Sequence, residues 1–397
     1  MSDPHCPLLF RPNAADLARI AEEVSEVGDI QQRLVDQHKH LHCPDRVAHQ
    51  YQIAGGKIGL KVADKLPAQL TGVGLFQTNA KHIGTGRLST GLGTPHIETN
   101  PDFLGARMSF MTQAGQRVDF LAINHPSSPT DNHRDFVDVL QATGASAGAE
   151  MPFIGELGEL DLGNLVAEQN AFAFGLIKRM GLIKGSRTLA HIVKQTLRTF
   201  HSSTAYQAYW TGVVEISQTL GKFTFVPSQD DNHRPGLHPG EHHLSNEWRA
   251  RQTASDIEFG LYWIPYLDED KTPLVKLTAA WEEAHKVPVG TLTFPQTDLA
   301  SDDAKLWAIL VAEMGAHPGN WVSNLDHSVP YPATEFGTAR KLAYELSQRG
   351  RNALPLEWYE SVFKIGEIGA DLARELLRRH TEKWQAGHVS DAASSSP

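Results

Sequence analysis

The amino-acid sequence predicts an α+β fold, an antiparallel β-barrel core with a helical insertion and helical termini. Three observations carry this. Between Val47 and Pro295 much of the chain consists of short apolar runs punctuated by glycine, such as IAGGKIGLKV, GVGLF, GARMSFMTQAGQRVDFLAI, TGVVEISQTLGKFTFVP and DIEFGLYWIPYL. Turn-forming groups such as QAGQ and QTLGK fall between them, the pattern of antiparallel strands joined by hairpins. Roughly residues 134–204 interrupt these runs with longer apolar segments, NLVAEQNAFAFGLIKRMGLIKG among them. Helical periodicity also marks both ends. Strands, an inserted helical region, more strands and then helices is an α+β order, for which a barrel is the expected sheet form.

The chain divides into a helical arm at 1–44, a core domain at 45–351 and a last segment at 352–397. In the arm, Leu17, Ile20, Val24, Val27, Ile30 and Leu34 recur near helical spacing across 14–38. His38, His40, His42 and Cys43 follow, but His at i, i+2 and i+4 is not a structural zinc spacing. Strand text ends with VGTLTFP at 289–295. The stretch 227–246 is rich in His, Pro and Gly and reads as a solvated loop carrying His233, His238, His242 and His243. DDAKLWAILVAEM and the residues 335–351 read as helices. LEWYESVFKIGEIGADLARELLRRHTEKW reads as a final amphipathic helix, and the Ser-rich SDAASSSP after it has the composition of a disordered tail.

Composition narrows the function. The 397 residues carry 41% hydrophobic and 21% charged side chains, as a soluble globular protein does. No apolar run reaches the length of a membrane span. The N-terminus lacks a basic region followed by a long apolar one, so no secretory signal is expected. Cys6 and Cys43 make no disulfide framework and fit a reducing, cytoplasmic setting. A formal charge of −10 argues against a nucleic-acid partner.

The most informative stretch is Glu335 to Arg351, EFGTARKLAYELSQRGR. At helical spacing Phe336, Ala339, Ala343 and Leu346 make an apolar stripe, beside which Arg340, Tyr344, Ser347 and Arg351 share a narrow sector. Arg340 and Tyr344 are one turn apart, and a guanidinium near a phenol favours the phenolate, a hard anionic ligand for ferric iron. An amphipathic surface helix with a snorkelling Tyr would read the same way.

This RxxxY helix, with a second Arg seven residues after the Tyr, resembles the proximal helix of haem catalases. Tyrosine ligation of haem in catalase is a known pattern. The resemblance implies haem b as cofactor, Tyr344 as iron ligand, Arg340 paired with its oxygen and Arg351 at a haem propionate. DRVAHQYQIAGGKIGLKV resembles the distal segment, which implies His49 as the acid–base residue above the haem and Arg46 at a propionate. GRLSTG resembles the strand in which Arg87 would bind a propionate and Ser89 would steady the His. In NPDFLGARMSFMTQAGQRVDFLAINHP the family's distal amide falls on Asn124, although an ungapped alignment puts Ile123 there. Phe136 matches a channel Phe. Where the family has two further Phe, this chain has Ser127 and Ser128, expected to open the space above the haem.

The resemblance covers about residues 45–140 and 205–351, and WEEAHKVPVG and GNWVSNLDHSVP match the later core weakly. It implies a haem-dependent, peroxide-using oxidoreductase, with the two serines favouring peroxidase or peroxygenase action on a small organic or lipid-like substrate. A catalase, a fatty-acid hydroperoxide isomerase of the allene oxide synthase kind and a non-enzymatic haem-binding protein are the alternatives. A homo-oligomer is left open.

Overall fold

In the computed structural model, residues 10–37, 46–91, 93, 98, 102–146, 172–196, 204–228, 243–318 and 331–394 are described. Ten strands form one antiparallel sheet: β1 (Gln52–Val62), β2 (Lys81–Thr90), β3 (Leu104–Met111), β4 (Arg117–Ile123), β5 (Tyr209–Thr211), β6 (Val214–Ile216), β7 (Thr219–Pro227), β8 (Ile257–Pro265), β9 (Val287–Phe294) and β10 (Tyr331–Pro332). Pairing of β7 with β8 closes the sheet, so the ring runs β1–β2–β3–β4–β5–β7–β8–β9 and back to β1. β6 and β10 extend it as a short side ladder. Closure removes the open edges that a sheet of this length would otherwise expose.

Alternate residues of each strand fill the barrel, as the period of two requires. Phe110, Phe120, Phe223, Phe259, Trp263 and Phe294 are each fully buried there. Phe223 sits at the centre, with its ring centroid 4.9 Å from Phe120, 4.8 Å from Trp263 and 5.6 Å from Phe76. On β3 both faces are buried, which means that its outer face is covered as well.

Helices supply that cover. α1 (Ala14–Glu23) and α2 (Glu26–Gln37) pack Ile20, Val24, Val27, Ile30 and Leu34 against α3 (His133–Ser146) and the later helix α7 (Glu335–Gly350). Asn13 caps α1 in a capping box with Asp16. α4 (Leu182–Thr196) follows a helical stretch at 172–180, and α5 (His243–Ala254) and α6 (Asp302–Glu313) precede α7. α8 (Leu356–Tyr359), α9 (Val362–Ile365) and α10 (Ala370–Ser394) join α6 in a second core around Trp307, Leu310, Met314 and Tyr359.

Several expectations are corrected. GVGLF is not a strand: Gly72 and Gly74 take positive φ, and only Val73 and Phe76 form an isolated bridge. The hairpin between β6 and β7 turns at Ser217 and Gln218, both with positive φ, so QTLGK belongs mostly to β7. Residues 14–38 hold two helices, because α1 ends at Val24 and Ser25 Oγ donates to the Glu22 carbonyl at 2.7 Å. A break this short leaves the apolar stripe intact. The last helix runs through Ser394, past the start of the stretch expected to be disordered, and Ala392 and Ala393 favour that continuation. The His38–Cys43 cluster, His233, His238 and His242 lie outside the described residues, as does 319–330. Among the described residues no helix is long and apolar enough to cross a membrane.

Phe223→Ala is expected to destabilise the protein by about 3–5 kcal/mol, the usual cost of an emptied aromatic site. Denaturant unfolding monitored by circular dichroism measures it.

Candidate active site

The outer faces of β2, β3 and β4 form one wall of a deep cavity, and α7, α3 and α2 contribute others. Its volume is about 270 Å³. Arg46, His49, Arg87, Ser89, Phe136, Arg340, Tyr344 and Arg351 all line it. Strand alternation explains the strand residues: Arg87 and Ser89 on β2 lie directly opposite Arg107 and Gly105 on β3, and Leu121 and Ile123 continue the same face on β4.

His49 has a backbone φ of 57°, in the left-handed region that non-glycine residues enter at a cost. Its N–H donates to the Gly91 carbonyl at 2.8 Å, which holds the segment in place. Nδ1 lies 3.1 Å from the Thr90 carbonyl and 3.4 Å from Ser89 Oγ. A carbonyl only accepts, so Nδ1 carries the proton and Nε2 keeps the lone pair. Gly105 makes room for the ring, since a Cβ there would stand 2.3 Å from Nδ1. Burial pushes the imidazole down to about 4, Arg87 acts in the same sense, and Asp102 and the Thr90 carbonyl oppose them. Arg340 adds to the lowering, so the strand wall and the helix wall share one field.

The arginines are held by carbonyl groups. Arg87 Nη2 donates to the His49 and Gln50 carbonyls at 2.8 and 3.2 Å. Arg46 donates to the Ala312 carbonyl, and Arg351 donates to Ala312 at 3.2 Å and Met314 at 2.6 Å. These carbonyls end α6, where the helix dipole favours cations. On α7, Thr334 caps the N-terminus and Arg351 is the C-cap, so Arg340 and Tyr344 sit one turn apart on a helix fixed at both ends. The Arg340 Nη1 atom lies against Gly212, 3.0 Å from where a Cβ would stand. Among the described residues, neither Arg340 nor Tyr344 has a side-chain hydrogen-bond partner.

Three comparisons bear on the fold. No family model matches the sequence, and no curated protein matches it either. Solved structures do match: a bacterial catalase at 15% identity and TM-score 0.56, a fungal catalase at 14% and 0.56, and catalase A from Saccharomyces cerevisiae at 14% and 0.55. The matches cover 84%, 80% and 81% of this chain, and 62%, 60% and 63% of those catalase chains. The fold is the catalase fold. The chain spans about 62% of the length of the bacterial catalase.

Within this catalase-like barrel one expected site residue lies elsewhere. Asn124 is turned away from the cavity: its Oδ1 accepts from the Leu104 N–H at 2.8 Å and its Nδ2 donates to Gln207. Ile123 lines the cavity in its place, as strand alternation requires. The next residue on that face is His125, which also lines the cavity. Its Nδ1 accepts from the Gln195 amide at 2.9 Å, and the Ser127 hydroxyl and N–H approach the same nitrogen at 3.2 and 3.3 Å. Ser127 and Ser128 both line the cavity, and Ser127 is buried.

Sequence reasoning missed His125, Gln195, Arg107 and Lys222. Lys222 lines the cavity from β7 with its Nζ 4.7 Å from the Trp281 ring, and burial pushes it down to about 8 against the pull of Glu283. Even spacing from Gly105 and Ile123 was the available signal for Arg107 and His125, whereas Gln195 arrives from a helix distant in sequence.

A depressed folded-state pKa means that the unfolded chain binds the proton first. The stability tied to a neutral His49 is therefore complete above the ordinary value near 6.5 and is lost as pH falls toward about 4. An NMR titration of the His49 ring is expected to show a midpoint near 4. Gly105→Ala is expected to displace the ring and move that midpoint up toward the ordinary histidine value of about 6.5.

Proposed function

We propose that this chain is a haem-dependent oxidoreductase that uses a peroxide, with Tyr344 as the iron ligand, and acts as a peroxidase or peroxygenase on an organic substrate. The observation that carries the reading is the electrostatics of the cavity. Arg46, Arg87, Arg107, Lys222, Arg340 and Arg351 line it, and no Asp or Glu is among its described lining residues. A cavity wall of cationic side chains with no carboxylate on its described lining suits a ligand that brings its own negative charge. Haem b brings two carboxylates and a flat apolar body, and the lining supplies apolar groups such as Val137, Phe136, Phe336 and Ala343 for that body. Arg46, Arg87 and Arg351 would hold the carboxylates, Arg340 would stand beside the Tyr344 oxygen, and His49 and Ser89 would face the opposite side.

Haem, when bound, supplies the redox chemistry on the O–O bond of a peroxide. The protein's share is proton handling and exclusion of water. His49 Nε2 accepts the peroxide proton and returns it to the departing oxygen, while Nδ1 stays anchored on the Thr90 carbonyl. A pKa near 4 keeps the imidazole neutral, and so able to accept, at any ordinary pH. Because Ile123 replaces an amide on the cavity wall, a feature the resemblance associates with hydrogen peroxide is missing. That favours an organic peroxide or co-substrate over rapid disproportionation.

The purified chain supplied with haemin is expected to show a Soret band with a ferric–phenolate signature, which Tyr344→Phe removes. His49→Ala is expected to lower peroxide turnover by about 10²–10⁴-fold, the usual share of a general acid–base group. Unchanged turnover in that variant would make the chain a carrier. Oxygen evolution from hydrogen peroxide, set against product analysis with a lipid hydroperoxide, separates catalase and isomerase action from oxidation of an added substrate.

A further inference from the structure

We propose that Arg107 is an additional carboxylate-binding guanidinium of this cavity, acting beside Arg46, Arg87 and Arg351 on a carboxylate of the bound porphyrin. The inference rests on the haem reading above. Arg107 stands directly opposite Arg87 in the β2–β3 ladder, and both side chains are 6% exposed on the cavity face. Like charges directly opposite each other destabilise a sheet unless something of opposite sign joins them.

The carboxylate that acts on Arg107 is that of Asp119, whose hydrogen bonds go elsewhere. Arg107 donates to the Val311 and Met314 carbonyls at 2.9 and 3.3 Å. Arg46 and Arg351 donate to carbonyls of the same helix end, which thus receives three guanidinium groups. Asp119 is the nearby carboxylate, and it already accepts from Arg117 at 2.9 Å, from Ser109 at 2.5 Å and from the His317 N–H at 3.0 Å. Arg107 Nε is buried without a hydrogen-bond partner among the described residues. Buried N–H groups are nearly always satisfied, so an orphan on a cavity wall marks where a ligand atom belongs. The edge formed by Nε and a spare Nη proton is the fork that takes a carboxylate side-on.

A carboxylate could arrive on the porphyrin or on a substrate, and two ligands tell them apart. The full chain, freed of porphyrin, is titrated with haemin and with haemin dimethyl ester, in which both carboxylates are masked, and Soret absorbance is followed. Arg107→Gln is expected to weaken haemin binding by about ten-fold or more, as loss of a charge-assisted hydrogen bond does, and to leave the ester within about two-fold. Equal loss for both ligands, or none for either, makes Arg107 a packing residue and overturns the proposal while the haem reading stands. If the unaltered chain binds neither ligand, both readings fall together. Should Arg107→Gln not fold, Arg107→Lys keeps the charge without the fork, and the same selective loss decides the matter.

Discussion

Holding guanidinium groups on a wall with no Asp or Glu among its described lining residues is the constraint on which this cavity depends. A buried cation must be solvated by something. Here carbonyl dipoles do much of this: the His49 and Gln50 carbonyls and the Gln52 side-chain amide for Arg87, and the carbonyls that end α6 for Arg46, Arg107 and Arg351. Dipoles of this kind hold the charges in place but do not cancel them, so the cavity keeps a positive field. The same contacts tie the architecture together, because Arg351 caps α7 and reaches the end of α6, setting the depth at which Tyr344 is held.

The histidine side of the cavity is built by a different device. A left-handed residue costs on the order of 1–2 kcal/mol and persists only where its neighbours leave no alternative. For His49 those neighbours are the Gly91 and Thr90 carbonyls, the side chain of Ser89 and the bare face of Gly105. They fix both the ring's position and its tautomer. Because burial and Arg87 also depress its basicity, the imidazole meets a ligand uncharged in a field that is otherwise positive.

How much of this could be read from the sequence varies with the kind of signal. The helix at 335–351 was legible because a period of 3.6 places Arg340, Tyr344 and Arg351 on one side whatever surrounds them. The barrel was legible from glycine-punctuated apolar runs. Asn124 was not, because in a strand one residue of register reverses the face, and the distance from Gly105 to Asn124 is odd. Arg107 belongs to no motif and means nothing until its position opposite Arg87 is known. Short turns failed for a related reason: Ser217 and Gln218 adopt positive φ without being glycine, so the nearby glycine drew the expected turn toward itself.

The 125–128 segment shows what composition alone does not tell. Replacing two aromatic rings by Ser127 and Ser128 should widen the space above the cavity by volume alone. α4 also packs on that segment, with His191 on the Ser128 carbonyl at 3.1 Å and Gln195, one turn on, donating to the Ser127 carbonyl at 3.2 Å. The two carbonyls also fix which way the Gln195 amide points, since its oxygen would face them if it were turned around. Gln195 can then only donate to His125 Nδ1, and the proton of a neutral His125 must sit on Nε2. Apolar rings are thus exchanged for an ordered set of dipoles supplied by the helical insertion. On the proposed reading, selection of the organic substrate would lie with this insertion and the 125–128 segment, leaving the barrel to keep its fold at 15% identity to a bacterial catalase.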